Sequence, residues 1–182
     1  MEMSDRRPPT PSQTVGPYFG IALTPDGANE LVAHGTPGSL LLWGTVRDAA
    51  DDPVREGMLE IWQADSQGRY PESDSGFTGF GRCHTDDDGK FEFRTVKPGQ
   101  VPGPDGTTQA PHLNVSVYGA GLLKPVRTRV YFSDEEESNA ADPVLSGVDP
   151  TRRPLLIAAV EGDRVQFDIK LQGNDETPFF DA

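Results

Sequence analysis

Two segments of this 182-residue chain carry residue types that could do chemistry. In His112-Leu-Asn-Val-Ser-Val-Tyr118, strand alternation puts Leu113, Val115 and Val117 on one face and His112, Asn114, Ser116 and Tyr118 on the other. That polar face needs water, a partner or a ligand. His112 itself reads either as a structural histidine or as a ligand. In Val126-Arg-Thr-Arg-Val-Tyr-Phe132, the faces are Val126, Thr128, Val130 and Phe132 against Arg127, Arg129 and Tyr131. Two arginines in register on a strand are either a solvated face or a fork for a carboxylate. The second reading stands out in a chain with 29 Asp and Glu against 16 Lys and Arg.

Other candidates have plainer readings. Asp86-Asp-Asp-Gly89 looks like the start of a calcium loop but lacks the closing bidentate Glu, so a hairpin turn is expected. The acidic run Asp134–Glu137 reads as a solvated helix start. Cys83, the single cysteine, reads as a small buried apolar residue, and His34 and His84 read as surface residues. There is no P-loop, dinucleotide glycine fingerprint, Gly-x-Ser-x-Gly elbow or His-Glu-x-x-His, and one cysteine cannot build a cysteine zinc site.

The elements that must position these residues are mostly strands. Gly (20) and Pro (17) make up about a fifth of the chain, which favours turns and short elements over long helices. Strands are expected over 40–46, 57–63, 90–96, 112–118, 126–132 and 165–171, with Gly/Asp/Pro turns between them, among them Gln67-Gly68. The predicted fold is an all-β antiparallel sandwich with an N-terminal arm and one or two short helices. The helices are expected from a capping box at Ser133–Glu136, running to about Ala141, and at Asp149-Pro150. Residues 1–13 read as a flexible arm and 14–182 as a single domain. Thr14–Leu23, apolar and aromatic with Gly and Pro, reads as an extended docking segment. A net charge of -13 disfavours nucleic acid and anionic membranes as partners. No apolar run is long enough for a helical membrane span. The opening residues lack the apolar core of a secretory signal, so the cytoplasm is the expected compartment.

Several motifs follow in an order that resembles the intradiol ring-cleavage dioxygenases: Thr10-Pro-Ser-Gln-Thr-Val-Gly-Pro-Tyr18, Leu59-Glu-Ile-Trp-Gln-Ala-Asp65, Gly68-Arg-Tyr70, Gly81-Arg-Cys-His-Thr-Asp86, Phe93-Arg-Thr-Val-Lys-Pro-Gly99 and Ala110-Pro-His112. Phe167–Gly173 and Thr177–Asp181 extend the likeness to the end of the chain. The resemblance implies a non-haem Fe(III) held by two Tyr and two His, phenolates suiting the hard ferric ion. Carried over by position, Tyr70 and His112 match ligands. Val101 stands where the second tyrosine is expected, and Asn114 where the second histidine is expected. The implied site in this chain is therefore degenerate and iron-free, with no catalytic residue of its own.

Heteromeric members of the family pair alpha and beta subunits of one fold. The resemblance implies that a homologous beta subunit holds the iron and that the active site lies at the alpha–beta interface. An aromatic acid, 3,4-dihydroxybenzoate, would bind there and be opened by O2 between its hydroxyl-bearing carbons. The alpha subunit's substrate-pocket residues map to Thr14, Gly16, Pro17, Tyr18 and Arg129. Such an assembly implies a large interface, over roughly 2,000 Å² in total. Two other readings compete: an autonomous metal-dependent dioxygenase using Tyr70 and His112 with further ligands, and a non-catalytic sandwich that only scaffolds an assembly.

Overall fold

Segments with apolar residues at every second position can hide that face only against a second such sheet. The computed structural model describes residues 10–11, 16, 22–72 and 76–181, and in it these segments form two packed layers. In chain order the strands are β1 (Ser39–Arg47), β2 (Met58–Trp62), β3 (Phe80–His84), β4 (Lys90–Val96), β5 (Val101–Pro102), β6 (Thr108–Gln109), β7 (His112–Tyr118), β8 (Val126–Phe132), β9 (Ile157–Glu161), β10 (Arg164–Gln166) and β11 (Ile169–Lys170). One layer centres on β1, with β4 antiparallel on one side and β10 and β11 parallel on the other. The second layer runs β3–β2–β7–β8, antiparallel throughout. The expected sandwich is present, and most of its ladders are antiparallel.

Both sides of the sandwich are closed. On one side β9 pairs with β10 of the first layer and, in parallel, with the end of β8 of the second. On the other side residues 28–31 join the layers. Leu31 N–H donates to the Arg94 carbonyl at 2.8 Å, and Arg82 N–H donates to the Ala28 carbonyl at 2.8 Å. Residues 28–31 thus cover what would be exposed strand edges.

Between the layers lie Leu42, Val46, Phe91 and Phe93 from one sheet and Leu59, Ile61, Leu113, Val117, Val130 and Phe132 from the other. Burying each such side chain contributes about 1.5–3 kcal/mol. Gly44 is required where the chain crosses this layer, since a Cβ there would overlap the Phe167 carbonyl. The strand expected over 165–171 is two short strands. Between them, the Asp168 carboxylate takes both the backbone N–H and the hydroxyl of Thr45, each at 2.8 Å. A side chain replaces a ladder bond, and the strand breaks there.

The helices differ from expectation in their caps. Helix α1 (Glu136–Ala141) starts after Glu135, which makes no side-chain cap. The expected box fails because the Ser133 hydroxyl instead accepts the Val160 N–H at 3.1 Å. Asp149-Pro150 opens only a turn, followed by a 3-10 turn at Arg153–Leu156. The capped short helix is α2 (Pro143–Ser146), held by Asp142. Asp86 closes the β3–β4 turn by accepting the Asp88 and Lys90 N–H groups, as the hairpin reading required.

Phe93 is fully buried at the centre of this core. Phe93→Ala should lower unfolding free energy by about 3–5 kcal/mol in urea titration. A loss under about 1 kcal/mol would mean that the two layers do not pack around it.

Candidate functional site

The alternation that buries one face of β2, β7 and β8 turns every candidate residue of those strands to the other face. Register assembles them into rows. Phe80, Trp62, Asn114 and Arg129 are successive cross-strand partners, and so are Arg82, Glu60, Ser116 and Arg127. In the second row Glu60 is occupied. Arg82 pairs with its Oε1 at 2.6 Å and the Tyr118 hydroxyl donates to its Oε2 at 2.9 Å. No ion pair forms at Arg127 or Arg129 among the described residues.

The first row begins with aromatic surface. Trp62, Tyr70 and Phe80 are each about 40% exposed, and Tyr70 stacks on Trp62 with ring centroids 5.8 Å apart. Tyr70 follows a loop built on Asp65, whose Oδ1 accepts the Gln67 and Arg69 N–H groups. Gly68, with φ of 76°, lets this loop pass the Gln100 carbonyl, where a Cβ would overlap it.

The other end of the face is a buried polar network. Arg129, half-buried, donates through Nη1 to Gln109 Oε1 at 2.7 Å and to the Tyr131 hydroxyl at 3.4 Å. Tyr131, fully buried, donates to Asp142 Oδ1 at 3.1 Å. Asp142 is fully buried too and also accepts the Val144, Leu145 and Ala110 N–H groups. Burial is the main reason the Tyr131 phenol is pushed up to about 12, so it stays neutral. His112 lies against the Tyr131 ring, centroids 5.9 Å apart, and is 3% exposed. Burial first, and the Arg129 charge second, hold His112 below the ordinary imidazole value. Its Nδ1 faces the Ala110 carbonyl at 2.8 Å, so Nδ1 carries the proton and Nε2 the lone pair. Nε2 is buried and has no hydrogen-bond partner among the described residues.

The four positions matched to iron ligands do not offer Fe(III) a ligand set. His112 has one nitrogen lone pair and Tyr70 one phenol. Val101 is buried, paired with Gln109, and has no donor atom. The Asn114 amide is turned to the Trp62 carbonyl at 3.3 Å. Among the described residues no three His, Cys, Asp or Glu side chains cluster in a way that could hold a metal.

Of the pocket residues expected from sequence, Thr14, Pro17 and Tyr18 lie outside the described residues, and Gly16 is exposed. Arg129 lines a 240 Å³ pocket together with Asn114, Ser116, Arg127, Phe180 and Asp181. Another cavity, of 590 Å³, lies on the other layer, where Arg47 donates to the Asp51 carbonyl, Asp168 accepts from Thr45 and Lys170 pairs with Asp51. Cys83 is half-buried, with its thiol on the His84 carbonyl and pushed up mainly by burial. His34 is exposed, but His84 is half-buried, with Nδ1 3.2 Å from the Gly57 carbonyl, which corrects its reading as a surface residue. Sequence reasoning passed over Gln109 and Asp142. Asp142-Pro143 carries the same helix-start signal as Asp149-Pro150, and the choice between them depends on which is buried.

A two-layer sandwich of this kind is the scaffold found in intradiol dioxygenases. The chain belongs to that family: residues 15–173 match the Dioxygenase family model. The alpha chain of protocatechuate 3,4-dioxygenase from Pseudomonas putida is 41% identical over 194 residues, 96% of this chain and 96% of that one. The beta chain of protocatechuate 3,4-dioxygenase from Burkholderia cepacia is 33% identical, over 76% of this chain and 66% of its own length. Among solved structures, the dioxygenase domain of a dioxygenase–carbohydrate-binding protein fusion from Streptomyces sp. SirexAA-E is 31% identical with a TM-score of 0.64, covering 94% of this chain and 100% of that one.

Tyr131 supplies a pH test. An unfolded tyrosine ionises near 10, whereas folded Tyr131 keeps its proton to about 12. Above pH 10 the unfolded chain releases a proton that the folded chain retains, so stability intact below 10 declines as pH rises. At about pH 11 this amounts to about 1.4 kcal/mol. Tyr131→Phe should flatten that part of the decline in urea midpoints measured between about pH 9 and about pH 11. Equal slopes for both proteins would mean that Tyr131 is not held neutral.

Proposed function

We propose that this chain is the non-iron alpha subunit of a protocatechuate 3,4-dioxygenase. It works as one sandwich domain, residues 14–182, with an arm over 1–13. Its partner is a homologous beta subunit that holds the Fe(III). The assembled enzyme cleaves 3,4-dihydroxybenzoate with O2 between the hydroxyl-bearing carbons to give 3-carboxy-cis,cis-muconate. The likeness to alpha chains over almost the whole length supports this, and the beta-chain likeness supports a partner of the same fold. Cytoplasmic location fits a single cysteine, and no helix among the described residues is long and apolar enough to cross a membrane.

The single observation that carries the reading is the donor chemistry of the four matched positions. A buried valine and an engaged amide stand where two ligands belong, while beside the amide stands a half-buried arginine with no ion pair among the described residues. What this chain supplies is therefore shape and charge. Arg129 pairs with the substrate carboxylate, and Thr14, Gly16, Pro17 and Tyr18 complete the wall of the pocket. Ring-opening chemistry belongs to the partner's iron.

Removing one member of a buried charge pair costs about 2–5 kcal/mol, and a water-accessible pocket sits at the low end. Arg129→Ala in the assembled enzyme should weaken protocatechuate binding about tenfold or more, with iron content and assembly unchanged. Catechol has no carboxylate, so its turnover should fall much less. Equal losses on both substrates would make Arg129 structural and remove the anchor. Unchanged kinetics on both would favour the scaffold reading.

A further inference from the structure

We propose that Gln109 is the positioning residue for Arg129, holding the guanidinium in place through a neutral oxygen so that its charge remains available to a carboxylate. The proposal rests on the carboxylate-anchor reading of Arg129.

Orientation of the Gln109 amide is fixed at both ends. Its Nε2 lies 3.1 Å from the Pro102 carbonyl, which can only accept, so Oε1 must face the other way. There it meets Arg129 Nη1 at 2.7 Å, the shorter of the two hydrogen bonds the arginine makes. The Pro102 carbonyl belongs to β5, paired with β6 through Val101↔Gln109 and Pro102↔Thr108. The hairpin thus sets the amide, and the amide sets the arginine.

Both contacts use Nη1, and both acceptors are uncharged: an amide oxygen and a phenol hydroxyl. Nε and Nη2 make no hydrogen bond to any described residue, which leaves one planar edge of the fork for a bidentate carboxylate. In a chain with 29 acidic residues the neutrality of this cradle is specific. The nearby buried acid, Asp142, has its two oxygens taken by the Tyr131 hydroxyl and three backbone N–H groups. Asp181 lines the same pocket yet forms no ion pair with Arg129. A carboxylate at position 109 could still accept from the guanidinium, but it has no donor for the Pro102 carbonyl and would compete with the ligand for the arginine's charge.

The test uses the assembled alpha–beta enzyme carrying Gln109→Leu, Gln109→Glu, Arg129→Ala or Gln109→Leu with Arg129→Ala, with KM and kcat measured on protocatechuate and on catechol. Gln109→Leu should raise KM for protocatechuate about three- to tenfold with little change in kcat, the effect of losing one positioned hydrogen bond. On catechol it should change KM no more than Arg129→Ala does. Gln109→Glu should raise KM for protocatechuate further than Gln109→Leu. The double variant should be no worse than Arg129→Ala, because both act through one contact. If Arg129→Ala affects both substrates equally, the anchor reading itself fails. If Arg129→Ala is selective, three results each overturn the role of Gln109 and leave the anchor standing. These are an unchanged protocatechuate KM in Gln109→Leu, equal KM rises on both substrates, and additive losses in the double variant. A wild-type KM in Gln109→Glu would overturn the need for a neutral oxygen.

Discussion

A carboxylate with no exposed surface, Asp142, ties together α2, the entry to β7 and the polar residues of β8. Burying a charge is costly unless its lone pairs are filled. Here Oδ2 takes the Ala110 N–H at 2.8 Å, while Oδ1 takes the Val144 and Leu145 N–H groups and the Tyr131 hydroxyl. One side chain therefore caps α2, anchors the chain entering β7 and holds the tyrosine of β8. Ala110 in turn offers its carbonyl to His112, which fixes the imidazole tautomer. Tyr131 offers its hydroxyl oxygen to Arg129. Removing the carboxylate would leave four donors to find new partners in a dry interior.

The sandwich gives this network its setting. Each strand of the β3–β2–β7–β8 layer has one face committed to the core, so the other is free to carry residues the core could not hold. Register then decides neighbours. Asn114 opposes both Trp62 and Arg129, which puts an aromatic platform and a cation in one row. The row above keeps its arginine at home, since Glu60 neutralises Arg82. The contrast between Arg82 and Arg129, on one face of one sheet, supports the proposal that the second meets a charge from outside the chain.

Much of this could be read in the sequence. Strict alternation in His112–Tyr118 and Val126–Phe132 gave strands with the observed ends, and it put Asn114 and Arg129 on the outer face. The family motifs suggested the matched positions, where Val101 and Asn114 are visibly poor donors. What alternation could not reach was long-range. Asp168 breaks a strand by bonding to Thr45, more than a hundred residues away. Ser133 leaves its expected box for Val160. Asp142 rather than Asp149 caps a helix because only Asp142 is enclosed by Ala110 and Tyr131. Gln109 lacks any local signal, since its importance lies in which oxygen faces which arginine. Local propensity writes the strands, while caps and polar networks are chosen by tertiary contacts.

The central claim is that this chain shapes a site whose metal it does not hold. Iron analysis and a visible spectrum of this chain, purified without a partner and incubated with ferrous iron in air, test that claim most directly. The donor chemistry at Tyr70, Val101, His112 and Asn114 predicts a colourless protein without stoichiometric iron, and iron with a tyrosinate charge-transfer band only once a beta subunit is supplied. A coloured chain holding one iron by itself would contradict the account.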